Sequence, residues 1–383
     1  MYEKIYDTDN LYRAWLEIQS VSSWKERTQR YAEDIVFHLA RIREGLINNT
    51  LVLGGVGKFL IRERGKERLI CSYDVDTRIV VRSLIDNILM PAITPKLIYD
   101  NSASVKGKGV QFHRDRIITH LQQFYRLHGN KGYILTIDFK KFFDNIDHEL
   151  LKQMFAKVLK DDRTTEFVSH LIDLNTFDIS CLSREYQEHF KNNPFDSVWY
   201  RRHANVWKCD GSNILRRGVS IGGQLSQIAG VFFPSDLDQY IKTVRGERFY
   251  ARYMDDLYVI HEDKEHLWNL YKDILAYCER KKIFINKKKT HIIPLSRPFT
   301  ILKIQYKVQE DGDIMRSPKK ETFKRERHAI KKFSQELETG ETSKEDIYLS
   351  FKSWKGNVSK FDCKKSVMNT EKYFIEKIGE CVV

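Results

Sequence analysis

Paired cysteines, proline-rich linkers and long apolar runs are all missing from this chain. Its six cysteines (Cys71, Cys181, Cys209, Cys278, Cys363 and Cys381) are scattered and include no C-x-x-C pair. That spacing argues against a disulfide framework or a zinc ribbon and fits a reducing cytosol. No apolar segment approaches the ~20 residues that span a bilayer, so no membrane association is expected. The opening residues, MYEKIYDTDN, lack the features of a signal peptide, and a cytoplasmic location is expected. Only seven prolines interrupt 383 residues, with no internal repeat and no low-complexity linker, so the units should be contiguous.

Positive charge, by contrast, is plentiful. Lys and Arg number 65 against 52 Asp and Glu, a net charge of +13. A protein this basic often meets a polyanion, because neutralising phosphates releases counterions; a merely lysine-rich composition gives the same total. Hydrophobic residues make up 42% and aromatic residues 12%, enough for a sizeable core.

Apolar periodicity is clearest in the middle of the chain. GYILTID (132–138) reads as a buried strand closed by an acid. Leu150, Leu151, Met154, Phe155, Val158 and Leu159 recur at helical spacing, with Asp147 as N-cap. A second helix carries Leu225, Ile228, Ala229, Phe232 and Phe233 and stops at Pro234. FYARY and LYVI flank Met254-Asp255-Asp256 and predict a hairpin with the acids at its tip. A further amphipathic helix (Leu267 to Cys278) precedes IFIN (283–286), which reads as a strand. Strand, helix, helix, two strands, helix, strand is the order of a split βαβ, ferredoxin-like sheet in the α+β class. Upstream lie a largely helical start (Leu11 to Leu46) and a basic hairpin, FLIRERGKERLI, turning near Gly65. Residues 160–210 read as a polar, irregular insertion. Downstream, SPKKETFKRERHAIKKF predicts a basic helix with Pro318 near its first turn.

Adjacent Asp255 and Asp256 in an apolar setting repel each other and lose hydration. A lone acidic pair is equally a solvated turn. If the predicted sheet brings Asp138 to the same spot, however, three hard carboxylates can hold two Mg²⁺ ions, with Mn²⁺ as a substitute.

Taken together, these segments carry a resemblance. LTIDFKKFFDNIDHELL and YMDD resemble the two catalytic motifs of bacterial reverse transcriptases, the superfamily of group II intron, retron and diversity-generating-retroelement enzymes and their ungrouped or defence-associated relatives. RGVSIGGQLSQIAG resembles the motif between them, KKIFINKKKTHI and FTILKIQYKV the two palm motifs that follow, and GKERLI the fingers motif that holds the incoming triphosphate. The resemblance covers residues 55 to 310, in order. It implies a right-hand polymerase: fingers at 1–130 with an insertion at 151–205, a ferredoxin-like palm at 131–150 and 206–312, and a helical thumb at 313–383.

The resemblance also implies roles for particular residues. Asp138, Asp255 and Asp256 would be metal ligands, joined by the Phe139 carbonyl. Phe143 would be the gate that rejects a ribose 2′-hydroxyl by overpacking, with one of Phe142 and Phe143 expected in the core. Lys66 and Arg68 would contact the triphosphate, although cations on an exposed hairpin are otherwise simply solvated. Lys289 would protonate the leaving pyrophosphate, in a Lys287–Lys289 run whose register leaves neighbouring lysines as alternatives. Gly222 and Gly223 would lie close to a nucleotide or base pair, or begin a helix. Ser226 and Gln227 would face the template or cap and pack. Tyr253, Lys303, Lys324 and Arg325 would touch template or primer, the last two from a helix that is otherwise a solvated amphipath. Trp354 is expected in the core.

One position departs from the family pattern. Ile221 stands where most reverse transcriptases carry glutamine. In this it resembles diversity-generating enzymes, in which that loss accompanies relaxed copying accuracy. The implied activity is RNA-directed DNA synthesis from dNTPs, yielding cDNA on a structured noncoding RNA template, in antiphage defence or diversity generation, with an accessory protein as a further partner. A template-independent or RNA-synthesising polymerase, and a catalytically silent RNA-binding scaffold, are the alternatives.

Overall fold

The computed structural model describes residues 1–54, 57–63, 65–219 and 221–379; Cys381 lies outside them. The remaining five cysteines are free. Among the described residues no helix is long and apolar enough to cross a membrane.

The chain forms two compact units. The first comprises residues 1–109, 136–257 and 268–290. Its helical start is real: Thr8–Ser20, Glu26–Glu33 and Ile35–Ile47 are helices, and Leu11, Ala14, Trp15, Ile18, Leu39, Ile42 and Leu46 are buried at helical spacing. Strands β1 (Gly57–Glu63) and β2 (Lys66–Ser72) form the basic hairpin, in register from Gly57↔Ser72 to Glu63↔Lys66. Every residue of β1 is exposed, which suits its charged composition.

Strand β3 (Tyr133–Asp138) buries Ile134, Leu135 and Ile137 and ends at the acid, as the sequence predicts. The helix His148–Leu159 follows, with the Asp147 carboxylate accepting from the Leu150 N–H at 3.0 Å.

The stretch 160–210 differs from expectation. It is largely helical, with helices at Asp162–Asp173, Arg184–Asn192 and Ser197–His203, and strands β4 (Phe177–Asp178) and β5 (Ile214–Leu215) pair antiparallel beside them. Its buried apolar residues are mostly large. Phe177, Ile179, Leu182, Phe190, Phe195 and Tyr200 make a buried cluster, and Asp161 and Asp196 cap two of the helices.

The helix Gln224–Phe232 ends just before Pro234. Strands β6 (Phe249–Tyr253) and β7 (Asp256–His261) flank a turn at Met254-Asp255, where Met254 takes a left-handed φ of 55°. Strand β8 (His291–Pro294) completes a four-stranded sheet in the order β6-β7-β3-β8. That is the split βαβ order: the first strand lies between the third and the last.

The fourth strand is therefore β8 and not Ile283–Asn286. Those residues form only an isolated bridge, Phe139↔Ile285. Their polar backbone bonds elsewhere: the Lys140 N–H donates to Phe284 and the Asn286 N–H to the Asp138 carbonyl.

The second unit comprises residues 110–135, 258–267 and 291–383. Strands β9 (Phe299–Ile301), β10 (Ile304–Val308) and β11 (Ile314–Pro318) form a meander in the order β11-β10-β9. Pro318 thus closes a strand, and the basic helix begins afterwards, at Lys320. Pro318 therefore stands two residues before the first turn of that helix, and a proline is tolerated in β11 because it is an edge strand of the meander. Helices Lys320–Glu338, Lys344–Val358 and Lys364–Ile378 pack through Ile330, Ile347, Phe351, Phe374 and Ile378. Trp354 packs into this core, 5.5 Å from Phe351 and 6.0 Å from Phe323.

Candidate active site

The acid at the end of β3 and the acids of the β6–β7 turn lie side by side. The Phe139 N–H donates to the Asp255 carbonyl at 3.1 Å, so the residue after Asp138 is bonded directly to the first turn acid. Burial pushes the Asp255 carboxyl up, and the Asp138 charge adds to it. Asp256 is pushed up to about 7, first by burial and then by Asp255 and Asp138. Lys289 and Lys66 oppose both shifts. Three mutually felt acids, two of them short of positive charge, are the donor set expected for hard divalent cations.

Asp138 is held differently. The Lys289 ammonium lies 2.9 and 2.8 Å from its two oxygens, and the Asn286 amide donates to Oδ1 at 3.0 Å. Of the lysine run, Lys289 is therefore the one paired with the acid that ends β3. Among the described residues no group of three or more His, Cys, Asp or Glu side chains is placed to hold a metal ion. The carboxylates are hard oxygen donors of the kind Mg²⁺ takes, and in this structure Lys289 supplies the local positive charge at Asp138.

The turn is fixed from below by a buried ion pair. Arg252 and Asp238 are both 0% exposed. The Arg252 guanidinium donates to the two Asp238 oxygens at 2.8 and 2.7 Å, and Tyr250 donates its hydroxyl to the same carboxylate. Its remaining donors reach the carbonyls of Gly230, Val231 and Met254, the last at 2.9 Å. One side chain thus ties the helix Gln224–Phe232 to the residue before Asp255. Sequence reading missed Arg252, Asp238 and Asn286; the available signal was an arginine on an otherwise apolar strand just before the acids.

Of the two phenylalanines, Phe142 is buried and Phe143 is half-buried. Gly230 makes room for the Phe143 ring. A Cβ there would come within 2.9 Å of that ring and 3.2 Å of the Met254 sulfur. Phe143 therefore lies beside the acidic turn. Phe139 is buried.

The β1–β2 hairpin meets the middle motif at Ile221. The Cys71 N–H donates to the Ile221 carbonyl at 3.2 Å, and Ile70 bridges Ile221. Gly222 has φ 105°, a conformation that favours glycine, and a Cβ there would meet Ile70 at 3.0 Å. Lys66 is close enough to act on both turn acids. Arg68 pairs with Glu63. Gly223 is the N-cap of the helix Gln224–Phe232. Ser226 is buried with its hydroxyl donating to the Gly223 carbonyl, the packing alternative, while Gln227 is exposed. Tyr253 is half-buried.

Lys303, Lys324 and Arg325 belong to the second unit. Lys303 sits in the left-handed turn between β9 and β10, with φ 69°. Lys324 and Arg325 are exposed on a helix whose Phe323 and Ile330 are buried, so cations and core occupy different faces.

A prediction follows from the state of Asp256. Its folded value, raised to about 7, exceeds the ordinary 3.8, so without metal its protonation stabilises the fold below 3.8 and that stability is lost as pH rises through about 7. A cation binds the ionised form and must displace the proton. Mg²⁺ affinity should be flat above pH 8 and weaken by about tenfold per unit below pH ~7, with proton release on binding measurable by calorimetry in buffers of different ionisation enthalpy. Affinity independent of pH between 6 and 8 would show that Mg²⁺ does not bind at Asp256.

Comparison with known proteins identifies the fold. The family model for reverse transcriptase (RNA-dependent DNA polymerase) matches residues 58–306. No curated protein matches. Solved structures similar to the chain include an apo telomerase from Candida tropicalis truncated from its C-terminal domain, at 17% identity and TM-score 0.43 over 68% of this chain and 55% of that one. A telomerase from Candida albicans in complex with a TWJ fragment of telomeric RNA gives 16% and 0.44 over 84% and 58%. The apo telomerase from Candida tropicalis gives 15% and 0.44 over 85% and 63%. The chain thus covers between 55% and 63% of the length of these chains. The family model spans well over half of the sequence, and it takes in the segments of Asp138 and Asp255-Asp256 and all but the first residue of the β1–β2 hairpin: the chain belongs to the reverse transcriptase (RNA-dependent DNA polymerase) family.

Proposed function

We propose that this protein is an RNA-directed DNA polymerase that extends a 3′-hydroxyl with deoxynucleotides on an RNA template. The observation that carries this reading is the hydrogen bond from Phe139 to Asp255, which sets Asp138 beside the two turn acids within a sequence matched to the family. Two Mg²⁺ ions held by Asp138, Asp255 and Asp256, with the Phe139 carbonyl as a further ligand, would supply the positive charge that in-line phosphoryl transfer needs.

The chain's own groups do the rest. Lys66 and Arg68 bind the triphosphate of the incoming nucleotide. Lys289, already an ammonium at Asp138, leaves that carboxylate for the leaving pyrophosphate and donates its proton there. Gly222 and Gly223 let the backbone approach the nucleotide, and Gln227 and Tyr253 lie along the template–primer. Lys303, Lys324 and Arg325 grip the backbone of the duplex. Residues 1–130 with 151–205 serve as fingers, 131–150 with 206–312 as palm, and 313–383 as thumb. The test is primer extension on RNA with dNTPs; absence of templated DNA product would overturn the reading.

Phe143 is the proposed sugar gate. Phe143→Ala should raise incorporation of ribonucleotides relative to deoxynucleotides by roughly tenfold or more, measured in direct competition. An unchanged ratio would remove the gate and favour a polymerase indifferent to the sugar.

Ile221 supports low copying accuracy and, with it, a role in diversity generation or in antiphage defence on a noncoding RNA in the cytoplasm. Ile221→Gln should lower the misincorporation frequency several-fold in sequenced products; equal error rates would remove this part of the proposal.

A further inference from the structure

A cleft of about 1020 Å³ opens in the first unit beside the acidic centre, between the turn that follows the helix Arg184–Asn192 and the segment 275–288. Its charge is one-sided. Lys140, Lys191, Arg217, Lys282, Lys287 and Lys288 line it against a single carboxylate, Glu279. Two of these cations are compensated: Lys191 pairs with Glu188, and Lys282 with Asp147. Lys140, Lys287 and Lys288 enter no ion pair among the described residues. Arg217 is only 7% exposed, and its guanidinium is spread over three main-chain carbonyls, of Phe190, Lys191 and Asn193, at 3.1 to 3.3 Å. Buried charges are ordinarily matched by an opposite one. Here the nearby acid, Asp147, is already held by Lys282. The floor is apolar, with Phe284 lying 5.8 Å below the Arg217 guanidinium.

We propose that this cleft is a second anion site, distinct from the acidic centre, that takes the triphosphate group of a nucleotide, free or at the 5′ end of an RNA. The density of charge selects this ligand. An RNA chain brings one negative charge per nucleotide, spaced along its backbone, so two or three residues filling the cleft would leave one or two of its four uncompensated cations unmatched. A triphosphate gathers about four charges in one short chain, with strong acceptor oxygens for charge-assisted bonds. The cleft falls at the upper end of the ~300–1,000 Å³ range of small-ligand sites, and its apolar floor suits an attached base. None of its lining residues is among those assigned to the incoming nucleotide. Its floor is also tied to the catalytic strand: Asn286 lines the cleft and bonds Asp138 through both its main chain and its amide.

The test is binding, not activity, so it stands apart from the polymerase reading. The full chain carrying Asp255→Ala and Asp256→Ala is titrated without divalent cation with tripolyphosphate, ATP, and one short RNA bearing either a 5′-triphosphate or a 5′-hydroxyl. All three triphosphates should bind, and adding Lys287→Glu and Lys288→Glu should weaken them by about tenfold or more at unchanged melting temperature, whereas Lys66→Ala should not. Tighter binding of the 5′-triphosphate RNA than of ATP identifies an RNA end as the source; equal or weaker binding identifies the free nucleotide. Indifference to the two glutamates, or equal affinity for the 5′-hydroxyl and 5′-triphosphate RNAs, overturns the proposal.

Discussion

Replacing Asp255 and Asp256 together with alanine should reduce RNA-templated deoxynucleotide addition by at least about 10³-fold. Removing a single group that stabilises transition-state charge commonly costs about 10²–10³, and here two of the three carboxylates proposed to hold the charge-neutralising cations are lost at once. The loss should not come from unfolding. Both carboxyls are raised by burial and by repulsion from neighbouring acids, so in metal-free buffer they strain the fold. The double variant should therefore melt at the same temperature as the parent or higher at pH 8, with the difference shrinking towards pH 5 as Asp256 takes up its proton. Retention of activity within tenfold would show that the chemistry lies elsewhere. Loss of activity with a lower melting temperature would mean that the acids are structural.

Arg252→Met should be the most destabilising of the substitutions considered. Breaking a buried pair by removing one partner costs about 3–5 kcal/mol, because the other charge is left without compensation. Asp238 would keep only the Tyr250 hydroxyl and a 3.3 Å bond from the Asn101 amide. The carbonyls of Gly230, Val231 and Met254 would each lose a donor as well. At about 2–4 °C per kcal/mol for a chain of 150–250 residues, and less for a longer one, the melting temperature should fall by roughly 5–10 °C. Activity should fall too, since Arg252 positions the turn that carries Asp255. Adding Asp238→Leu should restore much of the stability, because neither charge then remains, but not the activity, because the turn stays unanchored. Recovery of both would mean that the pair serves packing alone.

The parts of this molecule that were legible in the sequence are those decided locally. An apolar run ending in Asp138, an aspartate at an N-cap, and two short apolar strands around Met254-Asp255-Asp256 each specify their own element. The order of these elements then implied the split βαβ sheet. What stayed hidden depends on partners distant in sequence. Asn286 finds Asp138 across 148 positions, and nothing near either residue announces it. Ile283–Asn286 has the composition of a strand, yet its polar backbone is used up by residues 138–140, so β8 takes the sheet edge. The insertion read as irregular because its helices are short and its apolar residues hold no sustained period across them, although Asp161 and Asp196 were visible as caps for two of its helices. A few aromatic rings suffice there because each buries a large area.

The most direct check on the central claim is to locate divalent cations. Crystals of the full chain soaked with Mn²⁺ and a non-hydrolysable deoxynucleotide analogue should give anomalous peaks bounded by the carboxylates of Asp138, Asp255 and Asp256, with the Lys289 ammonium withdrawn from Asp138. Manganese bound only at other positions, or the Lys289–Asp138 pair intact with no peak between the acids, would contradict the assignment of this centre to nucleotide transfer.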